Sequence, residues 1–277
     1  MDKLLNTIHT LNIILPFLYI TTFGIYTFNF FDDNNKTHNS KRIFLFVTLF
    51  VHFSYLLIRT IVFNHPPIIN KFEIFTVLAF SLSFAYFLLE LLTDIRGTGA
   101  FILMFSVLFQ IISSLFISDT FEVKEVLRNK LLGIHVLSAL LGYSGFTIAA
   151  VYGGLFFLLY KNLKSNKYGL LFNRLPNLEI LEKLNFYSVL IGFILLTLSI
   201  MIGFIWLPIA FPDISYTDPK LISSGIVWLI FGIGIFAKLT SKLYGKKVII
   251  FSLIGFLIAL VSLLVFNVIV ESFHSFH

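Results

Sequence analysis

Residues 186–210 read FYSVLIGFILLTLSIMIGFIWLPIA. A helix needs about 20 mostly apolar residues to cross a bilayer, and this run exceeds that. Working outward, seven more stretches qualify, at about 9–31, 41–63, 72–92, 99–118, 131–160, 221–240 and 247–270. The pattern predicts an all-α polytopic membrane bundle of about eight transmembrane helices. No long polar stretch separates them, so residues 1–277 read as a single integral-membrane domain. The first span opens with Met1-Asp2-Lys3 and lacks a small-residue cleavage site. It reads as a retained helix rather than a removed signal peptide.

Composition agrees. Of the 277 residues, 58% are hydrophobic and 12% charged, against about 25% charged in soluble domains. A mean hydropathy of +0.94 leaves too little polar surface to cover a water-soluble globule. Cysteine is absent, which excludes disulfides, thiolate metal sites and thiol catalysis. The net charge of +6 lies in loops and reports membrane orientation, not a nucleic-acid partner. In the eight-span scheme one side holds thirteen of the basic residues, among them Lys161, Lys164, Lys167, Arg174, Lys183, Lys238 and Lys242, and the other holds seven. The positive-inside rule then places loops 161–185 and 238–247 in the cytoplasm and both termini outside.

Polar side chains within spans are costly and normally face the bundle interior. In the second span Thr48, His52, Tyr55 and Arg59 recur at spacings of 4, 3 and 4, forming one stripe. His52 falls near mid-membrane, and Arg59 is close enough to the outer end to snorkel. The fifth span carries His135 near its outer end, above Ser138, Gly142, Gly145, Ala149 and Gly153. Small residues on one face permit close helix approach, which puts His135 on the packed side. The eighth repeats this with Ser252, Gly255, Ala259 and Ser262, and that face continues to His274. His135 and His274 are therefore expected at one outer level, above His52.

Two imidazoles can bind one haem iron axially, whereas a membrane histidine taken alone more often hydrogen-bonds a neighbouring helix. His65 lies in the outer loop Asn64-His65-Pro66-Pro67, where a solvated role is equally open. The segment with Trp206, Phe211, Tyr216, Asp218, Pro219, Lys220 and Trp228 reads as an interfacial aromatic belt or as a platform for a planar ligand. No glycine-rich phosphate loop or His-Glu-x-x-His motif occurs. Glu73 and Glu90 stand about five turns apart, too far to act as a pair. Nothing in the sequence points to catalysis.

Taken in order, these landmarks resemble the haem-handling membrane proteins of cytochrome c assembly, the CcsA and CcmC type. The likeness runs from Gly203 through Trp206 to Asp218-Pro219-Lys220 and on to Trp228. Upstream, Leu175-Pro176, Glu179, Gly192-Phe193 and Thr197 look like the family's lead-in to its tryptophan-rich loop. Arg59, His65, Pro67 and Glu73 resemble its Arg…Gly-His-x-Pro…Tyr-Glu segment, with Asn64 for Gly and Phe72 for Tyr. His135 with Tyr143, and His274-Ser275, match its two histidine segments, so the likeness covers about residues 40–277. Later family tryptophans fall on Phe211, Ser215 and Thr217, its glycine on Pro212 and its glutamate on Leu221.

That degenerate loop, with Tyr216, Asp218 and Lys220 kept and the ending Ser272-Phe273-His274, is similar to the small eight-span HemX-type branch. The resemblance implies a bacterial plasma-membrane protein that restrains haem biosynthesis by keeping glutamyl-tRNA reductase low. Read with the histidines above, it makes His135 and His274 the candidate ligands of a non-covalent haem b, while the buried polar stripe offers His52 as a further, in-membrane candidate. The alternative is a cytochrome c assembly protein that passes haem outward, with a partner bearing a large external domain. A channel or carrier is a third option, although no inverted repeat is apparent.

Overall fold

The computed structural model describes residues 2–32, 38–95, 97–166, 168–210, 219–240 and 244–268. The protein is a polytopic helical bundle, and no strand occurs among the described residues. Among the described residues nine α-helices follow one another: α1 (Asp2–Phe31), α2 (His38–Phe63), α3 (Lys71–Thr93), α4 (Gly99–Phe116), α5 (Lys130–Lys164), α6 (Leu170–Arg174), α7 (Leu178–Ala210), α8 (Pro219–Leu239) and α9 (Lys246–Val268). A 3-10 turn, Glu125–Arg128, precedes α5. Seven helices are long and apolar enough to cross a membrane, judged on the described residues. Helix α9, 23 residues long, occupies the place of the eighth span.

Local chemistry explains the boundaries. Asn70 caps α3, its side chain accepting from the backbone N–H groups of Phe72 and Glu73, which satisfies donors orphaned at the helix start. Asn129 does the same for Leu131 at the start of α5. Pro219 opens α8, where a missing N–H costs nothing. Helices α5 and α7, at 35 and 33 residues, outrun their predicted spans. Each is about 50 Å long at 1.5 Å per residue, against a hydrocarbon core of about 30 Å. The extra length of α7 lies at its N-terminal end, where Glu179 and Lys183 pair at 2.8 Å one turn apart. Hydropathy stops at the first charges, but helix periodicity does not.

The helices form two four-membered rings. In the first, α1 packs on α2, α2 on α3, α3 on α4 and α4 back on α1. In the second, α5, α7, α8 and α9 close in the same way, and α5 also packs on α3 and α4 to join the rings. Their interiors differ. The second is filled by Phe146, Val189, Leu196, Val227, Phe231 and Ala259, with Phe146 stacked on Phe231 at 3.8 Å. The first encloses Thr48, His52, Arg59, Glu73, Thr76, Glu90 and Gln110, each at most 1% exposed.

Candidate functional site

The outer half of the α5–α7 interface positions His135. Gly142 and Gly145 of α5 face Gly192 of α7 so closely that a Cβ at 145 would stand 2.9 Å from the Gly192 Cα and the Ser188 carbonyl. Backbone therefore meets backbone, and the register carries His135 to Ser199 two turns further out. The His135 Nδ1 lies 2.8 Å from the Ser199 carbonyl oxygen. A carbonyl only accepts, so Nδ1 carries the proton. The Ser199 hydroxyl in turn donates to the His135 carbonyl at 2.9 Å. In this tautomer Nε2 keeps its lone pair, the state in which imidazole binds a metal. The ring is half-buried and rests on Gly203, where a Cβ would lie 2.9 Å from Cε1 and 3.0 Å from Nδ1.

The polar stripe of α2 faces the interior of the first ring and is tied in at successive levels. At the outer level Arg59 bonds Glu73 Oε1 through Nε (3.0 Å) and Nη2 (2.9 Å). It also reaches Asp119 Oδ1 at 3.2 Å and the Ser118 carbonyl at 2.7 Å. Glu73 Oε2 accepts from the Ile69 N–H at 2.8 Å. His65 is buried, 2% exposed, with its ring nitrogens 2.9 Å from the Pro66 and Thr120 carbonyl oxygens. Arg59, His65 and Glu73 thus share one clasp around residues 118–120. Asn64, which stands where the family has glycine, has φ of +55°, a left-handed conformation that Asn tolerates better than most residues.

One level down, the Thr76 hydroxyl donates to Gln110 Oε1 at 2.9 Å. Thr76 Oγ1 therefore accepts from His52 Nε2 at 2.9 Å, and His52 Nδ1 accepts from the Tyr19 hydroxyl at 2.8 Å. Every helix of the ring contributes one group to this chain. The lone pair of His52 is already engaged, so an iron at Nδ1 must first displace Tyr19. At the end of the ring opposite Arg59 the carboxylate of Glu90 meets Lys41 at 2.9 Å and the Tyr26 hydroxyl at 2.5 Å, while Arg42 pairs with Asp94. Sequence reading weighed Glu90 only as a possible partner of Glu73 and passed over Tyr19, Thr76 and Gln110. The 3–4 spacing of Tyr19, Thr22 and Tyr26 on α1 was the available signal.

The indoles are built into the packing. Trp206 is 1% exposed among Leu127, Leu132 and Leu207, with Ile68 and Ile69 against them. Trp228 donates from Nε1 to Thr197 Oγ1 at 2.7 Å and stacks on Phe193 at 5.3 Å. Pro66 of the clasp loop lies against Gly133 of α5. Phe211, Tyr216, Asp218 and His274, together with the side chain of Lys220, lie outside the described residues.

Comparison with known proteins fits this arrangement. Over 266 residues the chain is 24% identical to Protein HemX of Brevibacillus brevis, covering 93% of this chain and 94% of that one. It is 28% identical to Protein HemX of Bacillus subtilis over 136 residues, 49% of each chain. Over 253 residues it is 27% identical to the cytochrome c biogenesis protein CcsA of Chlamydomonas reinhardtii, covering 88% of this chain and 70% of that one. The model of the cytochrome C assembly protein family matches residues 68–274, well over half of the sequence. The chain belongs to the cytochrome c assembly protein family.

Proposed function

We propose that this protein is a HemX-type, haem-handling protein of a bacterial plasma membrane. It binds haem b non-covalently at an outer site and restrains haem biosynthesis by keeping glutamyl-tRNA reductase low. The observation that carries the site is the His135 tautomer: the Nδ1 proton is committed to Ser199 at 2.8 Å, leaving Nε2 for iron. The donor chemistry therefore fits haem. His135 would hold one axial position and His274 the other, and a bound haem would supply an iron with two such positions. The HemX-type branch is favoured because the match to the Brevibacillus protein runs almost end to end, whereas 70% of the algal CcsA is covered. A cytosolic enzyme would be met on the loop from Lys161 to Lys183, which carries basic side chains at the cytoplasmic end of α5 and α7.

The test is the absorption spectrum of the protein purified in mild detergent. A bis-histidine haem b spectrum is expected, and it should be lost in His135→Ala and in His274→Ala. Wild-type protein that stays haem-free after loading would overturn the site. Deleting the gene should raise reductase abundance and haem output. Unchanged levels of both would overturn the regulatory role, and loss of covalent c-type cytochromes in the same cells would establish the assembly role instead.

A further inference from the structure

We propose that Ser199 and Gly203 of α7 are positioning residues that preset the His135 imidazole, before any ligand arrives, with Nδ1 protonated and Nε2 free. The inference deepens the haem reading above and rests on it for the identity of the ligand, but not for the geometry. Ser199 holds His135 through main chain and side chain alike: its carbonyl accepts from Nδ1 at 2.8 Å, its hydroxyl donates to the His135 carbonyl at 2.9 Å, and the hydroxyl oxygen also lies 3.2 Å from Nδ1. The first two bonds run in opposite directions between α5 and α7, so neither helix can rotate or slide without breaking one.

Gly203 is one turn beyond Ser199, and its N–H is the ordinary helical partner of the same carbonyl. That oxygen serves two donors, which its two lone pairs allow. The imidazole reaches it only because position 203 has no side chain. The three heavy atoms nearest to a Cβ built there are Cε1, Nδ1 and Nε2 of His135, at 2.9, 3.0 and 3.9 Å. An added methyl group would therefore act on this ring before any other group, pushing it off along its Nδ1–Cε1 edge. Outer partners that fix a histidine ligand's ring and tautomer typically govern about 10–100-fold in metal affinity.

The test uses two readouts on the full chain. In haem-free, ¹⁵N-histidine-labelled protein, the long-range nitrogen–proton pattern reports the tautomer, and His135→Gln identifies the signals that belong to this residue. Wild type should show Nδ1–H with Nε2 unprotonated. Gly203→Ala should shift or broaden these signals and, after haem loading, lower the haem retained about tenfold. Gly225→Ala, whose Cβ would meet nothing within 4 Å, should change neither. Ser199→Val should weaken retention, and Ser199→Thr, which restores a hydroxyl, should recover it. A Gly203→Ala protein with wild-type histidine signals and wild-type haem retention overturns the inference. A wild-type protein that shows the tautomer but binds no haem overturns the haem reading and leaves the positioning intact.

Discussion

Arg59 shows what a single residue reveals and conceals. Its place on the α2 stripe was legible because Thr48, His52, Tyr55 and Arg59 recur at helical spacing, and a buried guanidinium in a span must be compensated. Its partners were not legible. Glu73 and Asp119 lie 14 and 60 residues away, and no periodicity links positions across helices. The side chains of Arg59 and Glu73 are 1% and 0% exposed, so removing one strands the other. Arg59→Met or Glu73→Met alone should cost about 3–5 kcal/mol, seen as a marked fall in melting temperature in detergent. The double variant should recover part of that loss, since neither charge of the buried pair is left facing the other's absence, while Asp119, the Ser118 carbonyl and the Ile69 N–H still lose a partner. A double variant less stable than either single one would show that the clasp is held by its other bonds.

At the level of elements, the small-residue face of α5 was legible, but the helix it meets was not. Sequence reading brought the fifth span to the last one. The structure sets α5 most extensively against α7, with α9 touching it in its C-terminal half, where Gly153 meets Leu253 and Ile249. The reason is that Gly192 answers Gly142 and Gly145; Ser188, Gly192, Ser199 and Gly203 recur at spacings of 4, 7 and 4 on α7, a small-residue face that the sequence reading did not use. Gly145→Ala would bring a methyl group within 2.9 Å of backbone on α7. Backbone cannot swing aside, so the overpacking should cost about 1–3 kcal/mol. Gly154→Ala, on the same helix with nothing within 4 Å, should be neutral or slightly stabilising. Parallel melting curves of the two variants check this, and equal curves would show that the helices part without penalty.

Across the whole molecule, the helical class and the positions of the spans followed from hydropathy alone. The two-ring plan did not, because it depends on which faces meet. Sidedness rests on the basic residues and can be measured directly. The chain has no cysteine, so single introduced thiols report without background. Glu122→Cys should react with an impermeant maleimide added outside intact cells, and Ser165→Cys only after the membrane is opened. The reverse pattern would invert the topology. The hydrogen-bonded sequence Tyr19, His52, Thr76, Gln110 also constrains biogenesis. Each group satisfies the next in a single direction, so no three of the four crossings can complete it. A nascent polypeptide halted before α4 would lack Gln110, and the Thr76 hydroxyl would then have to turn back to a carbonyl of its own helix, as Thr48 does toward Phe44, so the link between α3 and α4 can form only once the fourth crossing is in place.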